Sequence, residues 1–582
     1  MSADLLPPRF RDWFAAKGWE PRAHQLALID KHNQRRSTLL IAPTGAGKTL
    51  AGFLPTLIEL ADRPKRNDVR PTGIHTLYVS PLKALAVDIE RNLEKPIAEM
   101  GLPIRVETRT GDTPVSKRDR QRRQPPDILL TTPEQVALMV SSKDAEAYFD
   151  SLERVIFDEL HSLTPSKRGD LLALDFARLR KLSPKLLATG LSATVREPDD
   201  LRAWLVGQGA YPARANNLAD LVLAEKSIAA PPVITILDSE ERLPWSGHTS
   251  KHAVKEIYAL IKRHRMTLVF VNTRMQAEFL FQLLWNINDD GLRIALHHGS
   301  LDVAQRRKVE AAMGVGGLDA IVCTATLDLG IDWGDVDLVI NVGAPKGASR
   351  LLQRIGRANH RLDEPSKAIL VPSNRFEVLE CRAAVDAAYA GEQDAEVSRK
   401  GSLDVLAQHV LGMACAAPFR ADDLFAEITS AMPYADVDRT TFDAVVAFVA
   451  TGGYALRSYE RFAKIREGKD GFWRAANPRI VQQYRMNVGT IVEATMLKVR
   501  FGRKGRGVMG GRTIGEVEEY FAETMVHGDT FIFGGEVLKF EGIFEDSVLV
   551  TRAAPKTDPK VPSYEGGKFP LSTHLAARVR SM

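Results

Sequence analysis

At 582 residues the chain is too long for one hydrophobic core, and a length of this order favours about four domains. Hydrophobic residues make up 45% and charged residues 26%, which excludes a disordered or fibrous chain, and no apolar run approaches the roughly 18 residues that cross a membrane. A net charge of +5 permits nucleic-acid binding without arguing for it.

Residues 1–13 are polar, carry Pro7 and Pro8, and lack the pattern of a secretory signal. From Ser37 to about Trp204, short apolar runs alternate with amphipathic stretches. Leu39-Leu40-Ile41 leads into a Gly-rich turn and a helix, and Thr76-Leu77-Tyr78-Val79 leads into a helix that reaches Met100. Residues 127–130, 154–157 and 185–188 are further β-rich runs. Strands that are apolar throughout and separated by helices predict a parallel sheet covered on both faces. A looser, proline-bearing stretch follows over 207–244. The alternation then resumes, with predicted strands at 267–271, 293–297, 320–322 and 336–342 and predicted helices at 275–288 and 348–359, so two α/β lobes stand in tandem.

Helical periodicity over 403–416, 421–430 and 440–451, followed by Gly452-Gly453-Tyr454 and a short β-like run, outlines a winged helix; a generic helical bundle fits nearly as well. From Gly489 the character turns to β, with runs at 490–499, 513–517, 530–533, 536–541 and 547–551. Residues 571–579 then begin a helix-like run. Cys323, Cys381 and Cys415 lie far apart with no paired spacing, which predicts core cysteines in a cytoplasmic protein. Two basic clusters, Lys117 to Arg123 and Lys498 to Arg512, read either as solvated faces or as nucleic-acid contacts.

Ala42-Pro43-Thr44-Gly45-Ala46-Gly47-Lys48-Thr49 follows a predicted strand and opens a predicted helix, the context of a P-loop, with Ala42 where the pattern has its first glycine. Backbone amides of Thr44, Gly45, Ala46 and Gly47 can converge on phosphate oxygens at a helix N-terminus, Lys48 can reach the outer phosphates, and Thr49 offers a hydroxyl to Mg²⁺. ATP with Mg²⁺ is the cofactor pair this implies. Asp158-Glu159-Leu160-His161 ends an apolar strand about 110 residues further on, which suits Asp158 to Mg²⁺ and Glu159 to activating a water. Gln353-Arg354-Ile355-Gly356-Arg357 lies on a predicted helix of the second lobe, which has no P-loop of its own. Arg357, and after it Arg354, are candidates for the arginine that neutralises charge on a transferring phosphoryl group.

At these positions the chain resembles superfamily 2 helicases of the DExH group. Ser80-Pro81-Leu82-Lys83-Ala84-Leu85, Arg109-Thr110-Gly111-Asp112 and Thr131-Thr132-Pro133-Glu134 look like the strand-binding motifs of that group's first lobe, and Ser192-Ala193-Thr194 like its motif III. Phe270-Val271-Asn272-Thr273-Arg274, His297-His298-Gly299-Ser300 and Cys323 to Asp332 fall into the order expected of the second. With Trp333, Gly343-Ala344-Pro345-Lys346 and Gln353 to His360, the series is most similar to the Lhr (large helicase-related) family. Within that family it resembles the bacterial branch of ligase-associated DNA-damage-response helicases. The resemblance covers essentially the whole chain.

It implies an α/β fold of two tandem RecA-like parallel-sheet lobes, followed by a winged-helix domain and a partial β-barrel domain. The expected boundaries are 1–213, 214–392, 393–475 and 476–582, the last domain being truncated because the family core continues past Met582. The same resemblance implies that Lys83, Thr110, Gly111 and Thr132 of the first lobe, and Arg274, Ser300 and Thr324 of the second, hold a sugar-phosphate backbone. Gln25 would read the adenine and Asp332 the ribose, with Gly330 and Gln353 also on the nucleotide side. Tyr564, where the family commonly has tryptophan, would stack on a base. Hydroxyls, amides and arginines on phosphates grip any sequence, as a translocating motor requires. The expectation is an ATP-dependent 3′-to-5′ DNA translocase or helicase, with a role in DNA repair. Its substrates would be single-stranded and tailed duplex DNA, and its candidate partners repair proteins such as a DNA ligase. An RNA or RNA–DNA hybrid helicase and a non-catalytic nucleic-acid-binding scaffold are the alternatives, and intact Lys48, Asp158, Glu159 and Arg357 argue against the scaffold.

Overall fold

The computed structural model describes residues 5–43, 46–62, 73–192, 195, 197–209, 217–224, 231–247, 249–327, 336–358, 365–391, 394, 400–453, 462–488, 495–502, 511–553, 559–564 and 571–582. They divide into two compact units: Met1–Ser227 with Glu396–Ile491, and Ile228–Ala395 with Val492–Met582.

In the first unit, strands β1 (Thr38–Ile41), β2 (Thr76–Val79), β3 (Val106–Arg109), β4 (Ile128–Thr131), β5 (Arg154–Phe157), β6 (Leu187–Ser192) and β7 (Asp220–Leu223) form a sheet in the order β3-β4-β2-β5-β6-β1-β7. Every neighbouring pair is parallel. β1, β2, β4 and β5 are buried at every residue, which is why they read as unbroken apolar runs. β3 was not among the predicted strands. It lies at the end of the sheet, so Glu107, Thr108 and Arg109 are tolerated beside the single apolar Val106. β7, at the opposite end, pairs with β1 and carries this sheet past the expected boundary at residue 213.

The second unit repeats the theme with β8 (Val233–Ile236), β9 (Thr267–Val271), β10 (Ile294–His297), β11 (Ala320–Cys323), β12 (Leu338–Val342) and β13 (Lys367–Val371), in the order β10-β11-β9-β12-β13-β8. These neighbours are also parallel throughout. Each sheet is therefore a RecA-like lobe, and within each the strand ends and the loops that follow them gather at one edge of that sheet.

Helices Leu403–Ala416, Ala421–Thr429 and Arg439–Thr451, then the antiparallel pair β14 (Ile465–Glu467) and β15 (Trp473–Ala475), make the winged helix. The helix Pro478–Met486, beyond the expected boundary at 475, packs with it, since Ile480 and Tyr484 enter its core. This domain shares one hydrophobic core with the first lobe. Across that core, Asp175 Oδ1 and His409 Nδ1 stand 3.4 Å apart, each side chain about 1% exposed. Glu427 accepts from Arg178 at 3.2 Å and Lys181 at 3.1 Å, and Arg180 lies over the Phe176 ring while donating to the Ser430 carbonyl.

A curled half-barrel closes the second unit: β16 (Met496–Phe501), β17 (Thr513–Glu518), β18 (Thr530–Phe533), β19 (Glu536–Phe544) and β20 (Ser547–Arg552), in the order β17-β16-β20-β19-β18. It docks on the second lobe through backbone. The Glu516 amide donates to the Ser300 carbonyl at 2.9 Å, and the Asp302 amide to the Ile514 carbonyl at 3.1 Å. Gly534 and Gly535, both at positive φ, turn β18 into β19 and give their amides to Glu278 of the lobe, at 2.7 and 3.2 Å. Glu278 is fully buried and also pairs with His298 Nε2 at 3.0 Å. The final helix, Thr573–Ser581, was expected within the barrel but packs on the second lobe instead, with Leu575 fully buried among Ala383, Ala384 and Ala387. Among the described residues no helix is long and apolar enough to cross a membrane. The three cysteines form no disulfide and are buried, as expected.

Burial holds the Asp175 carboxyl above the usual carboxylate range, with His409 acting against the shift. Removing one partner of such a buried pair costs about 3–5 kcal/mol, whereas replacing both by apolar groups is often neutral. In urea denaturation, His409→Leu should destabilise the first unit strongly, and the double variant Asp175→Leu/His409→Leu should recover most of the loss. Strictly additive losses would show that the pair does not couple.

Candidate nucleotide and nucleic-acid sites

β1 delivers Ala42, whose amide donates to the Ser192 carbonyl at 3.1 Å and ties the start of the P-loop to the end of β6. Thr44 and Gly45 lie outside the described residues. Gly47 adopts the left-handed conformation (φ 74°) that lets the chain turn into the helix Lys48–Ala61. A Cβ there would meet Gln25 Nε2 at 3.2 Å, so the turn is closed against the helix Ala23–Asn33. The Arg22 amide donates to Gln25 Oε1 at 2.9 Å, and His24 Nε2 meets the Ala46 carbonyl at 2.9 Å. The fold thus gathers Gln25, Ala46, Gly47, Lys48 and Thr49 at one loop.

Two strands away, β5 ends in Asp158, which is 4% exposed. One of its oxygens accepts from the Tyr78 hydroxyl and the other from the Glu159 amide at 2.9 Å. Burial, with the charge of Glu159 beside it, pushes the Asp158 carboxyl up to about 6, while burial pushes the Tyr78 phenol well above its ordinary value and keeps it a donor. Glu159 sits at φ 47°, in the left-handed region that disfavours a side chain. Strain of this kind costs about 1–3 kcal/mol and concentrates at functional sites. Here the turn holds the carboxylate between Lys48 Nζ at 3.7 Å and His161 Nε2 at 3.5 Å. The other His161 nitrogen meets Ser192 Oγ at 3.1 Å, and burial lowers the pKa of the imidazole. Ala193 and Thr194 lie outside the described residues.

Thr49 and Asp158 offer a hydroxyl and a carboxylate, both hard oxygen donors, and among the described residues no cluster of three or more His, Cys, Asp or Glu could form a metal cage. That donor set fits Mg²⁺, which keeps waters and takes remaining ligands from substrate phosphates. Sequence reasoning missed Tyr78, although a phenol between the aliphatic Leu77 and Val79 was a visible signal.

The first lobe's expected nucleic-acid residues follow β2, β3 and β4 and so lie along the same sheet edge. Lys83 Nζ donates to Asp112 at 2.9 Å and stands 3.0 Å from where a Cβ on Gly111 would be, so Gly111 makes room for it. Arg118 braces this turn by donating to the carbonyls of Thr110 at 3.2 Å and Gly111 at 2.7 Å. Thr132 is the N-cap of the helix Pro133–Val140 and is 3% exposed.

In the second lobe, Arg274 donates to Ser300 Oγ at 2.9 Å, and its guanidinium lies 5.3 Å from the centre of the Tyr564 ring. The structure therefore brings Arg274, Ser300 and Tyr564 together, one ring face being turned to an arginine. Thr324 follows β11 and is 8% exposed. Gln353, Arg354 and Arg357 follow β12 on and after the helix Ala348–Ile355. Arg354 is 1% exposed, lies 4.9 Å over the Phe270 ring and donates to Asn341 Oδ1; Arg357 is 5% exposed. Gly330 and Asp332 lie outside the described residues. Glu278, the buried carboxylate that seats the half-barrel beside Ser300, was not foreseen.

The chain matches three family models: a DEAD/DEAH box helicase domain over residues 22–201, a helicase conserved C-terminal domain over 250–361, and the winged-helix domain of large helicase-related proteins over 387–560. It is 35% identical to the ATP-dependent helicase Lhr-Core of Methanocaldococcus jannaschii, over 98% of this chain and 66% of that protein. Against the Lhr-Core helicase of Methanothermobacter thermautotrophicus the identity is 33%, over 99% of this chain and 67% of the relative. The chain thus spans about two thirds of these relatives' length. The structure of Mycobacterium smegmatis helicase Lhr bound to ssDNA and AMP-PNP superposes with a TM-score of 0.73 at 34% identity, over 84% of this chain and 62% of that one. The helicase MrfA, at 20% identity and a TM-score of 0.73, shares the fold. On these grounds, the chain belongs to the Lhr family of ATP-dependent helicases.

Proposed function

We propose that this chain is a motor that hydrolyses Mg²⁺-ATP and moves 3′ to 5′ along single-stranded DNA, in the service of DNA repair. The observation that carries the reading is the grouping of Lys48, Asp158 and Glu159 at the loop edge of the first sheet, on the same edge as Lys83, Thr110, Gly111 and Thr132. The mycobacterial Lhr solved with ssDNA and AMP-PNP supports both ligands. Polarity and the repair role rest on the family resemblance alone.

Bound Mg²⁺, held by Thr49 and Asp158, would neutralise charge on the phosphates. Lys48 turns toward those phosphates and releases its hold on Glu159, whose carboxylate then takes the proton of the attacking water. His161 keeps Glu159 in place and joins it to Ser192 at the end of β6. Arg357 is the favoured arginine for the developing phosphoryl charge. Arg354, wedged over Phe270 and bonded to Asn341, is better suited to hold its helix against the sheet.

Glu159→Gln should retain nucleotide binding, followed with a fluorescent ATP analogue, and lose turnover by about 10²–10⁴-fold. Wild-type phosphate release by this variant would remove Glu159 from the chemistry. Arg357→Ala should lower DNA-stimulated ATPase by about 10³–10⁵-fold without changing thermal stability. Arg354→Ala should instead lower the melting midpoint, because it empties a buried polar position. A well-folded but inactive Arg354→Ala beside an active Arg357→Ala would reverse the assignment.

A further inference from the structure

The basic run Lys117 to Arg123 finds a place that the reading above does not use. It forms the helix Val115–Arg123, on which Val115, Arg118, Asp119 and Arg122 share a face by their three- and four-residue spacing. That face walls a cavity of about 210 Å³, completed by Arg109 at the end of β3, by the helix Pro133–Val140 with Tyr148 beyond it, and by Arg485 on the helix Pro478–Met486. The volume falls below the roughly 300–1,000 Å³ of pockets for drug-sized ligands and suits a single small group. Four arginines face it, against Asp119 and Asp144.

The charges there are out of balance. Arg122 only approaches Asp119 and Asp144, each at 3.6 Å. Arg118 is engaged with the carbonyls of Thr110 and Gly111. Arg109 is 8% exposed and its Nε bonds nothing. Burial holds its guanidinium below the ordinary arginine value; Tyr148 beside it acts against that shift, and the charges of Arg122 and Arg118 add to it. Among the described residues no ion pair joins Arg109 or Arg485 to a carboxylate. A guanidinium withdrawn from water without a counter-charge is costly. An anion with several oxygens removes the cost and matches the donor fork of arginine.

We propose that this cavity is a phosphate subsite for the nucleic-acid strand. It takes one backbone phosphodiester adjoining the Thr110–Gly111 turn, with Arg109 and Arg485 as direct ligands and Arg122 at its side. The inference rests on the reading that the chain tracks a strand, and it adds the winged helix, through Arg485, to the tracking surface of the first lobe.

The test uses the full chain and a fluorescent oligodeoxythymidine. Affinity is measured from low to moderate salt for wild type, Arg485→Gln, Arg109→Gln and the control Arg439→Gln, which removes the same charge from an exposed pair with Asp422 and Asp443. Each phosphate contact to a single strand contributes about 0.7 to the slope of log affinity against log salt. Arg485→Gln should therefore flatten the slope by about 0.7 and weaken binding several-fold at low salt, while Arg439→Gln leaves the slope unchanged. A single neutral methylphosphonate walked along the strand should weaken wild type at one position and leave Arg485→Gln indifferent there. If Arg485→Gln and Arg109→Gln keep both the wild-type slope and the wild-type methylphosphonate profile, the subsite is wrong and strand tracking stands. Inorganic phosphate that binds the cavity without competing with the strand also overturns it, by assigning the arginines to a free anion. A wild-type affinity indifferent to salt removes the tracking reading itself. Arg109 is buried, and exposed Arg485 keeps the test decisive if Arg109→Gln does not fold.

Discussion

Neighbouring strands run parallel throughout both large sheets, and the placement of nearly every proposed functional side chain follows from that. A parallel strand ends where its neighbours end, so the loops leaving β1, β5 and β6 meet, as do those leaving β2, β3 and β4. A reversed β5 or β3 would have sent Asp158 or Thr110 to the far edge. The sheets in turn depend on burial of both faces, which is why their central strands are aliphatic and why their few polar atoms, such as the Tyr78 hydroxyl, are matched to partners.

Within that frame the nucleotide loop is a set of opposed costs. Asp158 is buried and raised, Glu159 is strained, and Lys48 stands 3.7 Å from the Glu159 carboxylate. A site whose charges were fully satisfied would hold phosphate and cation poorly. The second unit shows the opposite arrangement at Glu278, where a fully buried carboxylate is answered by His298 and by two glycine amides of the half-barrel. There the purpose is seating rather than chemistry, and the seat adjoins Ser300, which Arg274 bonds and Tyr564 flanks.

The sequence made the buried strands and their loops legible because an unbroken apolar run followed by Gly or carboxylate has few structural meanings. Lys48, Asp158 and Glu159 were readable for that reason. Of the strands that escaped, β3, β7 and β8 lie at sheet ends, where polar residues are tolerated and local pattern fades, whereas β13 is internal and its run Ala368-Ile369-Leu370-Val371 is as apolar as those that were read. Long-range docking was unreadable in principle. Nothing near Leu575 announces that its helix belongs to the second lobe, and nothing near Glu278 announces glycine amides more than 250 residues away. The run Lys117 to Arg123 was ambiguous because one helix carries two kinds of arginine: Arg120 pairs with Glu107 as a surface residue would, while Arg118 and Arg122 line the cavity.

The central claim is directed, ATP-driven movement along a single strand, and displacement of duplex DNA bearing either a 3′ or a 5′ single-stranded tail tests it most directly. With ATP and Mg²⁺ the chain should displace the 3′-tailed duplex and leave the 5′-tailed duplex intact, and Lys48→Ala should displace neither. Equal displacement of both, or displacement by Lys48→Ala, would contradict it.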